Sequence, residues 1–307
     1  MPARYPTARR RVVRRRRPVR RRRYPVRRRR VFRRRSTRTT ISRRAILNVA
    51  STKKKDNMVA FRQTGSDSEP TQGPLTITGN PTLSAFGEHI VMWLPTARNR
   101  GTVPEETERN SQTCFMRGLS ERINISTDTS LPWTWRRICF TLKGLGVIRR
   151  DGTAINVLPF EEAAPNGYVR LARNYSSVGG DPNWEAIAEQ LISLIMDGTR
   201  GIDFLDLTTA KTDGTNVTIK YDRTFRLASG NDSGIQKVYK LWHPMNKNLV
   251  YDDDEDGGDM VGNSISTQGK PGMGDYYVVD IFKAHPAATS SDHLLFDPMA
   301  TLYWHEK

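Results

Sequence analysis

The residues best equipped for chemistry in this chain are arginines. Arg9, Arg10, Arg11, Arg14, Arg15, Arg16, Arg17, Arg20, Arg21, Arg22, Arg23, Arg27, Arg28, Arg29, Arg30, Arg33, Arg34 and Arg35 form short blocks. The spacers between them are Val12-Val13, Pro18-Val19, Tyr24-Pro25-Val26 and Val31-Phe32. A guanidinium is a planar fork that pairs with two phosphate oxygens at once and never loses its charge near neutral pH. Residues 1–44 hold 22 arginines and no lysine, and the first acidic residue is Asp56. The blocks lack the fixed spacing that reading base edges requires. Phosphate binding by counterion release, indifferent to sequence and weakened by salt, is the chemistry they suit. Tyr5, Tyr24 and Phe32 are available to stack on unpaired bases. Pro18 and Pro25 keep the segment from settling into a helix. The same clusters suit recognition by nuclear import machinery.

Other constellations are weaker. DDDEDGGDM places Asp252, Asp254, Asp256 and Gly257 like the first half of a calcium loop, but the twelfth position is Asn263 where a Glu is required. A solvated acidic loop, or one that meets basic groups of a neighbouring subunit, is the preferred reading. GNSISTQGKP has its glycines, Gly262 and Gly269, too far apart for a phosphate loop, and Pro271 follows Lys270. The histidines (His89, His243, His285, His293, His305) show no metal-ligand spacing, and no GxSxG elbow occurs. No enzyme activity, cofactor or metal is expected. Trp133 and Trp135 in PWTWRR share one face of a strand, beside Arg136. They read as core in preference to a base-stacking platform. Cys114 and Cys139 read as buried free thiols.

These groups need a scaffold, and the charge shows where it begins. Lys53, Lys54 and Lys55 bring the basic count to 25 before Asp56. Residues 56–307 then carry the other 24 basic side chains against all 32 acidic ones, a net of −8. The expected division is a disordered nucleic-acid-binding arm, 1–55, and a folded body, 56–307. The arm cannot fold alone, because its self-repulsion is large and its apolar content small. No apolar core follows the N-terminal charges and no run of 18 apolar residues occurs, so neither a secretory signal nor a membrane span is expected. The expectation is a protein made and used inside a cell, with the sequons at Asn124, Asn174, Asn216 and Asn231 unused.

In the body most of the apolar signal alternates. In VTIKYDRTFRL, Val217, Ile219, Tyr221, Phe225 and Leu227 share one face. Further predicted strands are EHIVMWLP, QTCFMRGL, RINIST, WTWRRICFTLKG, GYVRLARNY, IDFLDLTT, IQKVYKLWH, DYYVVDIFKAH and ATLYWHE. RAILNVASTKKKDNMVAF reads as a hinge. One helix stands out in DPNWEAIAEQLISLIMDG, capped by Asp181, opened by Pro182 and ended by Gly198. Its stripe of Trp184, Ile187, Leu191, Leu194 and Ile195 suits packing across a sheet. Many short strands and one short helix argue for an all-β antiparallel sandwich or barrel.

Several segments together resemble the capsid proteins of genomoviruses, the gemycircularvirus-like circular single-stranded DNA viruses, related more distantly to geminivirus coat proteins. They are the arginine-rich arm running into SRRAILNVASTKKKDNM, then CFMRGLSERI, PWTWRRICFTLKG, LWHPMNKNLVYDDDEDG and GMGDYYVVDIF. The resemblance implies a jelly-roll body of eight antiparallel strands and self-assembly into a small icosahedral particle, a virion. It also implies packaging of a circular single-stranded DNA genome and entry into the host nucleus. It brings no catalytic residues. A closed icosahedral shell holds at least about 60 copies, hence about 1,500 arm charges, enough for a genome on the order of one to two thousand nucleotides. The rival reading is a nuclear or ribosomal nucleic-acid-binding protein with a basic extension, which would not form closed shells.

Overall fold

A computed structural model describes residues 42–63, 69–84, 86–101, 107–144, 158–176 and 182–307. A short helix, α1 (Arg43–Ala50), precedes β1 (Thr52–Met58), β2 (Ala60–Gln63), β3 (Thr71–Gln72), β4 (Leu75–Thr78) and β5 (His89–Trp93). Next come β6 (Thr113–Thr127), β7 (Trp133–Leu142), β8 (Glu162–Ala163), β9 (Gly167–Tyr168), β10 (Arg170–Asn174) and α2 (Pro182–Ile195). The chain continues through β11 (Thr218–Leu227), β12 (Gln236–Val250), β13 (Asp254–Asp256), β14 (Asp259–Val261), β15 (Asp275–Ala284) and β16 (His293–Glu306).

Two sheets form a sandwich. The first has the order β1-β16-β6-β12, with β4 pairing beside His293–Phe296 of β16. The second has the order β11-β7-β15-β5, extended beyond β5 by β10, β2 and β3. Every pairing within the two four-strand orders is antiparallel; only β10 and β2 run parallel. Taken along the chain, β1, β6, β12 and β16 fall in the first sheet and β5, β7, β11 and β15 in the second. The path therefore crosses between sheets at almost every step, with β7 to β11 the one step that stays within a sheet. That winding is the double Greek key of a jelly roll. The long β7–β11 connection carries β8, β9, β10 and α2.

The burial pattern follows from this layering. β5 is buried at every position and β15 at all but its last two, because the second sheet is covered on both faces. One face meets the first sheet through Val91, Trp93, Trp135, Cys139, Tyr276 and Val278. The other, with Ile90, Met92, Ile138, Phe140, Val279 and Ile281, packs against Trp184, Ile187, Leu191 and Ile195 of α2. Burying each such side chain stabilises the fold by about 1.5–3 kcal/mol. Pro182 opens the helix as the sequence predicts, and Gly198, at φ +96°, lies where the chain turns away after it. Trp133 and Trp135 are core residues, and both cysteines are buried and unbridged.

A charged cluster lies between the sheets. Arg137 of β7 makes two 2.7 Å hydrogen bonds to Asp280, its cross-strand partner on β15, and also pairs with Glu121 of β6. Arg170 of β10 lies 3.2 Å from both Glu121 and Asp280 and stacks 4.1 Å over the Trp93 ring. Trp135 Nε1 donates to Asp280 at 2.7 Å. Two guanidinium groups and two carboxylates thus balance in charge, all four at most 1 % exposed. Burial works against the Glu121 carboxylate, but Arg137, His243 and Arg170 outweigh it and hold its pKa well below the usual range.

His89 shows what burial does without a countercharge. Its Nε2 lies 3.1 Å from the Thr78 carbonyl and its Nδ1 3.1 Å from the Asn174 amide. The carbonyl can only accept, so Nε2 carries the proton and the neutral ring is satisfied. Burial pushes the pKa down to about 4, against the opposing pull of the Thr78 carbonyl. The unfolded chain therefore binds this proton first as pH falls. Stability tied to His89 is full above pH 6.5 and lost towards pH 4, by about 3 kcal/mol. In urea unfolding, the stability gap between wild type and His89→Gln should narrow by about that amount from pH 7 to pH 4. A gap that stays constant would refute this role.

Two sequence expectations are corrected. The expected hinge contains α1, β1 and part of β2, so the body takes in residues 52–55, ahead of the expected boundary at 56. IDFLDLTT is a series of turns, because Asp203 and Asp206 accept hydrogen bonds from the backbone amides of Thr199 and Thr208. Such local side-chain bonds compete with strand pairing.

Candidate nucleic-acid interface

The arginines from Arg9 to Arg35 lie outside the described residues, as do Tyr5, Tyr24 and Phe32. Strand β1 divides the three lysines of its KKK run by the period of two. Lys54 is buried against Glu306 at 3.5 Å and donates to the Glu108 carbonyl at 2.7 Å. Lys53 and Lys55 point to the opposite, solvent face.

Several arginines of the body are structural. Arg136 of PWTWRR holds Asp222 through two hydrogen bonds and donates to the carbonyls of Leu207 and Ala210. Arg109 grips Asp253 with bonds of 2.6 and 2.8 Å and stacks 3.8 Å over Tyr251. Arg98 pairs with Asp56 at 2.7 Å. Like Arg137 and Arg170 they are buried and paired inside the protein and present no guanidinium fork to a phosphate.

Several of the cations left to solvent lie on the outer face of the first sheet. There Lys53 and Lys55 of β1, Arg117 and Arg122 of β6, and Lys240 of β12 share a surface with His305 and Tyr303 of β16. Among the outward side chains of these four strands, Asp297 is the single acid. Pairing sets the rows: Lys53 lies opposite His305, which lies opposite Phe115, while Lys55 lies opposite Tyr303. Trp242 of β12 is 49 % exposed, and its ring centroid is 5.9 Å from that of Tyr303.

A glycine makes room for the indole. A Cβ on Gly118 would lie 2.7 Å from Trp242 Cζ2 and 2.6 Å from the His243 carbonyl oxygen. The register on both sides of β6 shifts beside Gly118, against Tyr303/Trp304 and against Pro244/Lys247. These bulges leave Arg117 without a β16 partner, and its guanidinium donates to Asn246 Oδ1. The His305 pKa is lowered, first by partial burial and then by the charges of Arg117 and Lys53. The sequence lists these residues at positions 53, 117, 242, 303 and 305, and only strand order joins them.

Two further groupings arise in the fold. Cys139 Sγ lies 3.9 Å from His243 Nδ1, and His243 Nε2 lies 3.3 Å from Glu121. The order resembles a nucleophile, base and acid, but all three sit in the sandwich interior at 2 % exposure or less, beyond the reach of a substrate. The acidic run forms the hairpin of β13 and β14 around Gly257, at φ +64°. Its one buried carboxylate, Asp253, is taken by Arg109 and by the Asn263 amide at 2.9 Å. No group of three potential metal ligands occurs among the described residues.

Neither a protein-family model nor a curated protein matches this chain.

Proposed function

We propose that this chain is a viral capsid subunit of the genomovirus kind. Copies of its jelly-roll body assemble into a closed icosahedral shell, and its arginine-rich arm packages circular single-stranded DNA by phosphate binding. The observation that carries this reading is the division of charge within one chain: +25 over residues 1–55 and −8 over residues 56–307. The arm requires a polyanion larger than anything in its own body. The body is a β-sandwich whose sheet edges and loops are available for contact with other copies. Cargo identity and nuclear entry rest on the resemblance; the arginine clusters fit both.

The test is sedimentation of the purified full-length protein after nuclease treatment. Fast, homogeneous particles that absorb as nucleoprotein are expected. A slow species at every protein and salt concentration would favour the nuclear or ribosomal binding protein. It would make the arm an anchor on another assembly's nucleic acid.

A further inference from the structure

We infer, resting on the reading just given, that the outer face of the first sheet is a base-stacking site for single-stranded nucleic acid, with Trp242 as the platform. Tyr303 flanks it, and Lys53, Lys55 and Arg117 supply the phosphate contacts.

The indole carries the argument. The chain has six tryptophans, and Trp93, Trp133, Trp135, Trp184 and Trp304 are each at most 1 % exposed. Trp242 alone stands half in solvent, on the outer sheet face where its ring lies over Gly118 and near Tyr303, while the inner face of β12 is filled by His243, Met245 and Leu249. The backbone is shaped around it: Gly118 is the one residue type that lets the ring lie across β6, and the bulge there turns Arg117 outward. Bulges recur where a side chain is re-aimed beside a functional surface.

The charge selects the occupant. Five cations face one carboxylate on this surface, and Arg117 and Lys53 add to the lowering of the His305 pKa that partial burial begins. The buried centres of protein–protein interfaces are depleted in lysine, whereas aromatic rings set among lysines and arginines are the pattern of single-strand binding. A duplex keeps its bases stacked on each other, so a lone indole favours unpaired strands. Lys53 follows the last arginine of residues 1–44 by only nine positions, so a strand held by the arm would be presented to this face at high effective concentration.

The test uses full-length protein with two oligonucleotides of about ten units, oligo(dT) and an abasic strand of equal length. Anisotropy of an end label reads binding, and tryptophan emission reads stacking. Oligo(dT) should quench emission and the abasic strand should not. Trp242→Phe should abolish the quench and Trp242→Ala should weaken oligo(dT) binding about tenfold, with the abasic strand bound equally by wild type and both variants. Binding of oligo(dT) with no quench, or a quench that survives in Trp242→Phe, overturns the stacking site and leaves the arm's role intact. Failure of both strands to bind overturns the site and the packaging reading together. A Trp242 emission shift that follows protein concentration without any oligonucleotide overturns the site and assigns this face to contact between copies.

Discussion

Deleting residues 1–44 should leave the body folded and remove almost all of its hold on nucleic acid. The cut falls ahead of Thr52, where β1 begins to pair with β16, and costs the body no strand. The remaining helical residues Ile46 and Val49 are 54 and 87 % exposed, so little core is lost with the helix start. The deletion removes all 22 arginines of the segment. If about ten of them engage phosphates, binding to single strands should fall with salt at a log–log slope of about −7. The truncated protein should lose that slope and at least about a thousandfold in affinity at low salt, keeping the weak, base-dependent contact assigned to Trp242. Titrations across a salt series measure both quantities. An unchanged slope after truncation would move the phosphate contacts to the body.

Replacing Asp280 with alanine should destabilise the body by about 3–5 kcal/mol. That is a large share of the total stability of an ordinary domain. Asp280 takes two hydrogen bonds from Arg137, one from Trp135 and one from Arg170, all buried. Its removal leaves two guanidinium groups facing Glu121 alone, and an unpaired buried charge costs far more than the pair contributes. The complementary expectation separates charge from packing. Arg137→Met combined with Asp280→Leu should recover much of the loss, since a buried pair replaced by apolar side chains of similar volume is often close to neutral. Urea unfolding of the single and double variants gives the coupling. A loss below about 1 kcal/mol for Asp280→Ala would mean that water reaches this cluster.

The fold was legible where burial obeys a simple period. β11 shows its alternation plainly because it is an edge strand with one face on the core. β5, β7 and β15 show dense apolar runs because helix α2 and the first sheet cover both their faces. The helix announced itself through Pro182 and the stripe from Trp184 to Ile195. β1 did not: TKKKDNM looks like surface, and Lys54 is buried only because Glu306, at the far end of the chain, waits for it. Arg136, Arg137 and Arg170 are indistinguishable in sequence from surface cations, yet all three are structural. The arm's chemistry was legible because composition alone carries it. The Trp242 surface was not, because five residues spread between positions 53 and 305 meet only through the order β1-β16-β6-β12.

The most direct measurement is negative-stain electron microscopy of the purified, nuclease-treated, full-length protein, with the nucleic acid recovered from any particles tested for single-strand-specific digestion. A capsid subunit gives uniform closed shells that protect single-stranded DNA. Small monodisperse particles at every salt concentration, with no protected nucleic acid, would contradict the capsid reading.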